Sequence, residues 1–263
     1  MNWFEAVILG IIQGLTEFLP VSSSGHLELG KYLFGIDSES NFYFTVAVHG
    51  ATVLSTIAVF WKDIIGLFKG LFRFSMNEET VYVLKIIVSM IPVGIAGLFF
   101  RDFLENMFNG NMTALGIQFF ITAILLFLTL LVKKGEKPIS YFDSFIIGIA
   151  QAVAVVPAIS RSGATIATGL LLGNRKDEIA MFSFLIVLVP VIGANLVEIK
   201  SKGAHQAVAG AGVIALGFLA AFVAGYFACK WMVGLVRKSK MTWFAIYCTA
   251  IGILSIILGL HQK

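Results

Sequence analysis

The chain has 263 residues, of which 58% are hydrophobic and only 13% charged, and its mean hydropathy is +0.92. A water-soluble chain is about 45–50% apolar and about 25% charged, and disordered chains are poor in hydrophobic residues, so both classes are excluded and an integral membrane protein remains. The net charge of +4 does not point to nucleic acid, because the Lys and Arg residues fall in short loops between apolar runs, where membrane topology puts them. Cys229 and Cys248 sit inside apolar runs and read as small hydrophobes, not as a disulfide or a metal site.

Taken in chain order, the first stretch runs from Trp3 to Phe34 and is apolar but broken by Pro20-Val-Ser-Ser-Ser-Gly25-His26. It has no basic residue before Lys31 and so is read as part of the mature protein, not a secretory signal. Three runs long enough to cross a bilayer follow at Phe42–Trp61, Val81–Phe100 and Thr113–Val132, with an interfacial helix expected over Lys62–Phe74. A second broken stretch runs from Phe142 to Gly173, interrupted by Pro157-Ala-Ile-Ser-Arg-Ser-Gly163. Three more runs close the chain at Ile179–Ile199, Ala207–Cys229 and Thr242–Leu260.

Each broken stretch gives two helices too short to span. Non-helical backbone at membrane depth is tolerated only where protein or a water-filled cavity covers it, so both read as re-entrant helix–turn–helix hairpins. At a constant offset of 138, Gly10–Gly25 and Gly148–Gly163 share Gly10/Gly148, Ile11/Ile149, Gln13/Gln151, Ser22/Ser160, Ser24/Ser162 and Gly25/Gly163. The expected fold is therefore an all-α membrane protein, one membrane domain over residues 1–263. It has six transmembrane helices and two re-entrant hairpins, with repeat one at about 1–132 (hairpin 3–34) and repeat two at about 142–260 (hairpin 142–173). An odd number of spans per repeat makes the topology inverted, which places a binding site at the midplane between the repeats.

Charge orients this arrangement. The side holding the N-terminus carries five cations (Lys31, Arg101, Lys200, Lys202, Lys263), the other side thirteen, and Arg161 is left over inside the second break. The richer side is cytoplasmic. Both termini then lie outside, and the first hairpin opens outward.

Ionisable groups at membrane depth are costly and usually functional. Gln13 and Glu17 are four residues apart on one helix face, followed by Ser22, Ser23, Ser24, Gly25 and His26. The second turn supplies Ser160, Arg161, Ser162 and Gly163, with Thr165 just inside the next helix. Helices starting at Gly25 and Gly163 would aim unpaired N–H groups at one pocket, and Arg161 adds a forked permanent cation. The set describes a phosphate site. Glu17 beside a phosphate needs a divalent cation or a transferable proton between them, or it is a general base toward Ser23 or water. Ser22 and Ser24 also read as helix caps. Gln13 is equally a backbone hydrogen-bonding residue, the role expected of Gln151, and His49 reads as a packing or hydrogen-bonding residue.

The segments QGLTEFLPVSSSGH at Gln13–His26 and PAISRSGATIATGLLLG at Pro157–Gly173 closely resemble the two signature segments of the undecaprenyl pyrophosphate phosphatases, the bacitracin-resistance family. The first is its (E/Q)xxxE motif with a Ser-rich turn and the second its PxxSRSG segment. The resemblance covers the whole chain. It implies a bacterial plasma-membrane enzyme that removes the terminal phosphate of a C55 polyprenyl diphosphate at the outer face, recycling the carrier of cell-wall building blocks and conferring bacitracin resistance. It implies a divalent cation, Mg²⁺ or Ca²⁺, at Glu17 with Gln13, and it is compatible with a homodimer; the partners are the lipid substrate and the bilayer, with no nucleic acid.

Carried over by position, Glu17, Ser23, His26 and Arg161 are catalytic. Gln13, Ser22, Ser24, Gly25, Ser160, Ser162, Gly163 and Thr165 bind substrate. The chain departs from a two-carboxylate motif in having Gln13 at the first acidic position, which weakens any metal site needing two acids. Two nucleophiles remain open: Ser23 activated by Glu17, giving phosphoserine, or His26, giving phosphohistidine. The rival from another class is a lipid-phosphate flippase or transporter built on the same inverted repeat. A channel is disfavoured, since no ring of repeated pore residues is visible.

Overall fold

The computed structural model describes residues 1–36, 42–99, 111–132, 135–156, 158–202, 210–238 and 241–261. The described residues form helices α1 (Trp3–Phe18), α2 (Ser23–Phe34), α3 (Phe42–Val59), α4 (Trp61–Leu71), α5 (Glu78–Phe99), α6 (Met112–Leu128), α7 (Tyr141–Val153), α8 (Arg161–Leu171), α9 (Lys176–Ile186), α10 (Leu188–Lys202), α11 (Ala211–Arg237) and α12 (Thr242–Leu260), with no strand among them. Five helical segments are long and apolar enough to cross a membrane, and a sixth is reached when α3 and α4, bent by 74° at Phe60, count as one. Large apolar side chains such as Leu98, Leu131, Phe227 and Trp243 are exposed around the outside. This is the surface of a multi-pass membrane protein, whose lipid-facing side is as apolar as its core.

Both broken stretches are pairs of short helices, as expected. α1 ends at Phe18 because Pro20 disfavours helical geometry at Leu19, which is extended (φ −70°, ψ 143°). Asn2 caps its start in a capping box with Glu5. α7 is capped the same way by Ser140 and Asp143. The second pair is tied at its base by Asp143, which accepts from Lys137 Nζ at 2.9 Å and Asn174 Nδ2 at 3.0 Å. The two pairs end alike: Gly35 caps α2 at φ +64° and Gly173 follows α8 at φ +83°, left-handed geometry that glycine adopts without strain. These two glycines are also 138 residues apart.

Packing repeats the correspondence. α1 lies against α11 and α7 against α5, while α6 pairs with α12. Gly10 lets α1 touch the Gly217 carbonyl of α11, and Gly148 lets α7 touch the Ser89 carbonyl of α5; a Cβ at either position would overlap that backbone. The largest buried cluster includes Phe18, Phe60, Ile166, Phe182 and Phe184, so it joins both helix pairs to α9.

Several boundaries differ from expectation. The helices after the breaks start at Ser23 and Arg161, two residues before Gly25 and Gly163, because Ser22 and Ser160 are the caps. The run Ile179–Ile199 is divided at Val187 into α9 and α10; Pro190 cannot donate to the Ile186 carbonyl. The apolar run Ala207–Cys229 continues as helix, which extends from Ala211 to Arg237. The expected interfacial helix is α4. Lys31, Lys85 and Lys230 lie inside helices and not in loops. Lys31 is buried with Glu28 at 2.9 Å, and Lys230 lies over the Tyr226 ring at 4.4 Å, as long cationic side chains do near membrane surfaces. Pro157, Ala207, Phe100 and the counted cations Arg101, Lys133, Lys134, Lys240 and Lys263 lie outside the described residues.

Candidate active site

The two turns meet. Ser24 Oγ accepts from Ala158 N at 3.2 Å, and Ser162 Oγ donates to the Leu19 carbonyl at 3.2 Å. Across this contact Arg161 Nη2 donates to Glu17 Oε1 at 2.9 Å. On the other carboxylate oxygen, Glu17 Oε2 accepts from Gln13 Nε2 at 2.9 Å and from the Ser23 hydroxyl. The Glu17 side chain is one-tenth exposed and Arg161 one-quarter. One carboxylate therefore joins both hairpins. Ser23 and Arg161, which reach it from opposite sides, are the first residues of α2 and α8 and stand 138 positions apart.

The caps are twinned as well. Ser22 Oγ accepts from Gly25 N at 3.2 Å, and Ser160 Oγ accepts from Gly163 N at 3.0 Å. Ser22 lies 3.4 Å from Ser24, and Ser160 lies 3.4 Å from Ser162, oxygen to oxygen. Four of the residues expected to bind phosphate, Ser22, Gly25, Ser160 and Gly163, are thus engaged with one another as caps. Gly25 also lies against Phe119 and Ala158, where a side chain would not fit. Thr165 Oγ1 donates to the Arg161 carbonyl at 2.8 Å and pairs with Ser183.

His26 is brought to the turn but not to Glu17 by any hydrogen bond. Its Nδ1–H donates to the Ser22 carbonyl at 2.7 Å, which leaves Nε2 to accept from the Tyr247 hydroxyl at 2.8 Å. The ring stacks on Tyr247 at 5.5 Å and meets Phe119 edge-on at 5.2 Å. Sequence reading missed Tyr247; a tyrosine inside an apolar span needs a partner for its hydroxyl, and that was the available signal. It also missed Ser183. His49, expected to pack or hydrogen-bond, donates from Nδ1 to the Thr45 carbonyl at 2.9 Å. It shares a face of α3 with Thr52 and Thr56, a polar stripe at helical spacing.

Beside Glu17 and Arg161, Thr52, Thr56, Gln151, Ser162, Thr165 and Ser183 line a cavity whose remaining wall is apolar, including Phe18 and Phe184. Gln151 makes none of the backbone hydrogen bonds expected of it: both ends of its amide lack a protein partner, as does Gln13 Oε1. No group of three or more His, Cys, Asp or Glu residues capable of holding a metal occurs among the described residues. The oxygen donors at the site include one carboxylate, Glu17, and two unpartnered buried carboxamide oxygens, Gln13 Oε1 beside Glu17 and Gln151 Oε1 across the cavity. That set is too small for a protein-only cage, but it fits a hard cation whose remaining ligands are substrate phosphate and water.

The family model for the bacitracin resistance protein BacA matches residues 6–254, both hairpins included. The chain belongs to the BacA family. It is 53% identical over 260 residues to an undecaprenyl-diphosphatase of Parabacteroides distasonis, covering 97% of this chain and 98% of that one. It is 51% identical over 266 residues to an undecaprenyl-diphosphatase of Bacteroides fragilis, covering 100% of both. The similarity extends to Methanosphaera stadtmanae, whose undecaprenyl-diphosphatase is 38% identical over 277 residues, with 98% of this chain and 99% of that one covered. The BacA match thus includes the Glu17–Ser23 and Arg161 segments.

Proposed function

We propose that the chain hydrolyses the terminal phosphate of undecaprenyl diphosphate at the outer face of the plasma membrane, yielding undecaprenyl phosphate and inorganic phosphate. The single observation that carries this is Glu17 holding the Ser23 hydroxyl on one oxygen and Arg161 on the other. A flippase needs the cation but has no use for a hydroxyl poised on a base. The relatives' shared activity supports the substrate.

Ser23 is the nucleophile in this reading. As its Oγ bonds to the terminal phosphorus, Glu17 takes the hydroxyl proton, the bond from phosphorus to the bridging oxygen breaks, and the proton leaves with undecaprenyl phosphate. A positioned general base contributes about 10²–10⁴-fold. Arg161 uses one nitrogen on Glu17, so the rest of its fork is free for phosphoryl oxygens, whose charge it stabilises. The N–H groups of the first turns of α2 and α8 add two positive helix ends. His26, with both nitrogens engaged, holds the Ser22 carbonyl and so the turn. A bound Mg²⁺ or Ca²⁺ would be held by Glu17 and Gln13 Oε1 with substrate oxygens, and would neutralise diphosphate charge.

In the same reading the two helix pairs are re-entrant hairpins in an inverted-topology repeat with both termini outside. The twin close approaches at Gly10 and Gly148 and the twin end-glycines Gly35 and Gly173 support the repeat. The cation excess on the opposite side supports the orientation. The test is phosphate release by purified protein in detergent. Undecaprenyl diphosphate is expected to be hydrolysed with Mg²⁺ present, undecaprenyl monophosphate not, and EDTA to stop the reaction. No release from the diphosphate refutes the reading.

A further inference from the structure

Gln151 is 1% exposed, yet neither its Oε1 nor its Nε2 has a protein partner. Its twin explains the anomaly. Gln13 donates to Glu17, but the position of repeat two that corresponds to Glu17 is Val155. Gln151 keeps the amide of its twin without the carboxylate that pairs the Nε2 end there. A buried amide group left unpaired is costly, so a polar group must meet it within the cavity it lines.

That cavity leaves about 20 Å³, and one water needs about 10–15 Å³ together with two to four polar partners. Gln151, Thr52, Thr56, Ser162, Thr165 and Glu17 all line it, so the partners are present. Glu17, which accepts the Ser23 hydroxyl, is part of its lining, so the cavity adjoins the serine across that carboxylate. An amide offers one acceptor and one donor end, enough to fix the direction of a water by its hydrogen and to touch a phosphoryl oxygen.

We propose that Gln151 holds the water that completes hydrolysis, a catalytic role resting on the diphosphatase reading above. The water oxygen forms the new bond to phosphorus, and the bond from phosphorus to Ser23 Oγ breaks. The water proton passes to Glu17 and from Glu17 to Ser23 Oγ, restoring the serine and releasing inorganic phosphate.

The test uses the full-length protein in detergent with undecaprenyl diphosphate. Gln151→Met keeps the side-chain volume and removes both polar ends. Phosphate release should fall at least tenfold with KM within about threefold, and the thermal unfolding midpoint should hold or rise, because an unsatisfied amide has been removed. Gln151→Ala enlarges the compartment. In a methanol–water mixture it should raise the ratio of methyl phosphate to inorganic phosphate several-fold over the parent, a change that a purely structural role would not produce. Turnover of Gln151→Met within twofold of the parent overturns the proposal. So does a fall in turnover accompanied by a lower unfolding midpoint, and so does an unchanged product ratio in Gln151→Ala. A parent chain that releases no phosphate refutes the substrate reading itself, and this inference with it.

Discussion

Replacing Arg161 by lysine tests the geometry of the site more sharply than removing the charge. Arg161 has two tasks on the account above: one nitrogen holds Glu17 Oε1 at 2.9 Å, and the remaining N–H groups meet the phosphate. Lysine keeps the charge but offers a single ammonium, which must serve either the carboxylate or the phosphate. A hydrogen bond to a charged group contributes about 1.5–3 kcal/mol. Losing two such contacts to the phosphate therefore costs about 2–4.5 kcal/mol after a one-quarter discount for the exposure of the arginine. At about 1.36 kcal/mol per tenfold, kcat/KM of Arg161→Lys should fall about 10²–10³-fold. Arg161→Ala should fall further, toward the 10³–10⁵-fold typical of arginines that stabilise transferring phosphoryl groups. Both should remain folded, since Glu17 keeps Ser23 and Gln13. The measurement is phosphate release against substrate concentration in detergent micelles. A lysine variant within threefold of the parent would show that Arg161 acts as a point charge and that the shared-fork reasoning is wrong.

Gly148→Ala should lower the unfolding midpoint in detergent, by an amount equivalent to about 1–3 kcal/mol, because its Cβ would overlap the Ser89 carbonyl. Gly10→Ala should do the same against Gly217, and equal tolerance of both would argue against the paired close approaches. For topology, Gly210→Cys should react with an impermeant thiol reagent in intact cells and Glu136→Cys only after lysis; both native cysteines are buried. The reverse labelling pattern would invert the orientation.

The parts of the molecule legible in sequence were those written into local pattern. Pro20 and the Ser run announced a break, and a constant offset of 138 linked the two breaks. The four-residue spacing of Gln13 and Glu17 gave a helix face. The meeting of Arg161 with Glu17 followed from the repeat and from the cost of a lone charge in an apolar hairpin. Cross-chain partners were not legible. Tyr247 reaches His26 over 221 positions; WFAIYC shows a hydroxyl in an apolar run that needs a partner, but not which one. The pairing of Ser183 with Thr165 is equally silent in sequence. The start of α8 at Arg161 was misplaced by two residues because Gly163 was taken as its first turn, whereas Ser160 is the stronger capping residue. Gln151 was read as an interface residue by analogy with Gln13; its isolation depends on Val155, which gives a sequence signal only once the repeats are superposed.

The turnover of Glu17→Gln tests the central claim most directly. The amide preserves size and the contact with Gln13, but it cannot accept the Ser23 proton. Glu17→Gln, purified beside the parent and assayed with undecaprenyl diphosphate and Mg²⁺, should lose about 10³-fold or more in kcat while still taking up the lipid. Phosphate release at the parent rate would contradict the assignment of Glu17 as the base that joins Ser23 to Arg161.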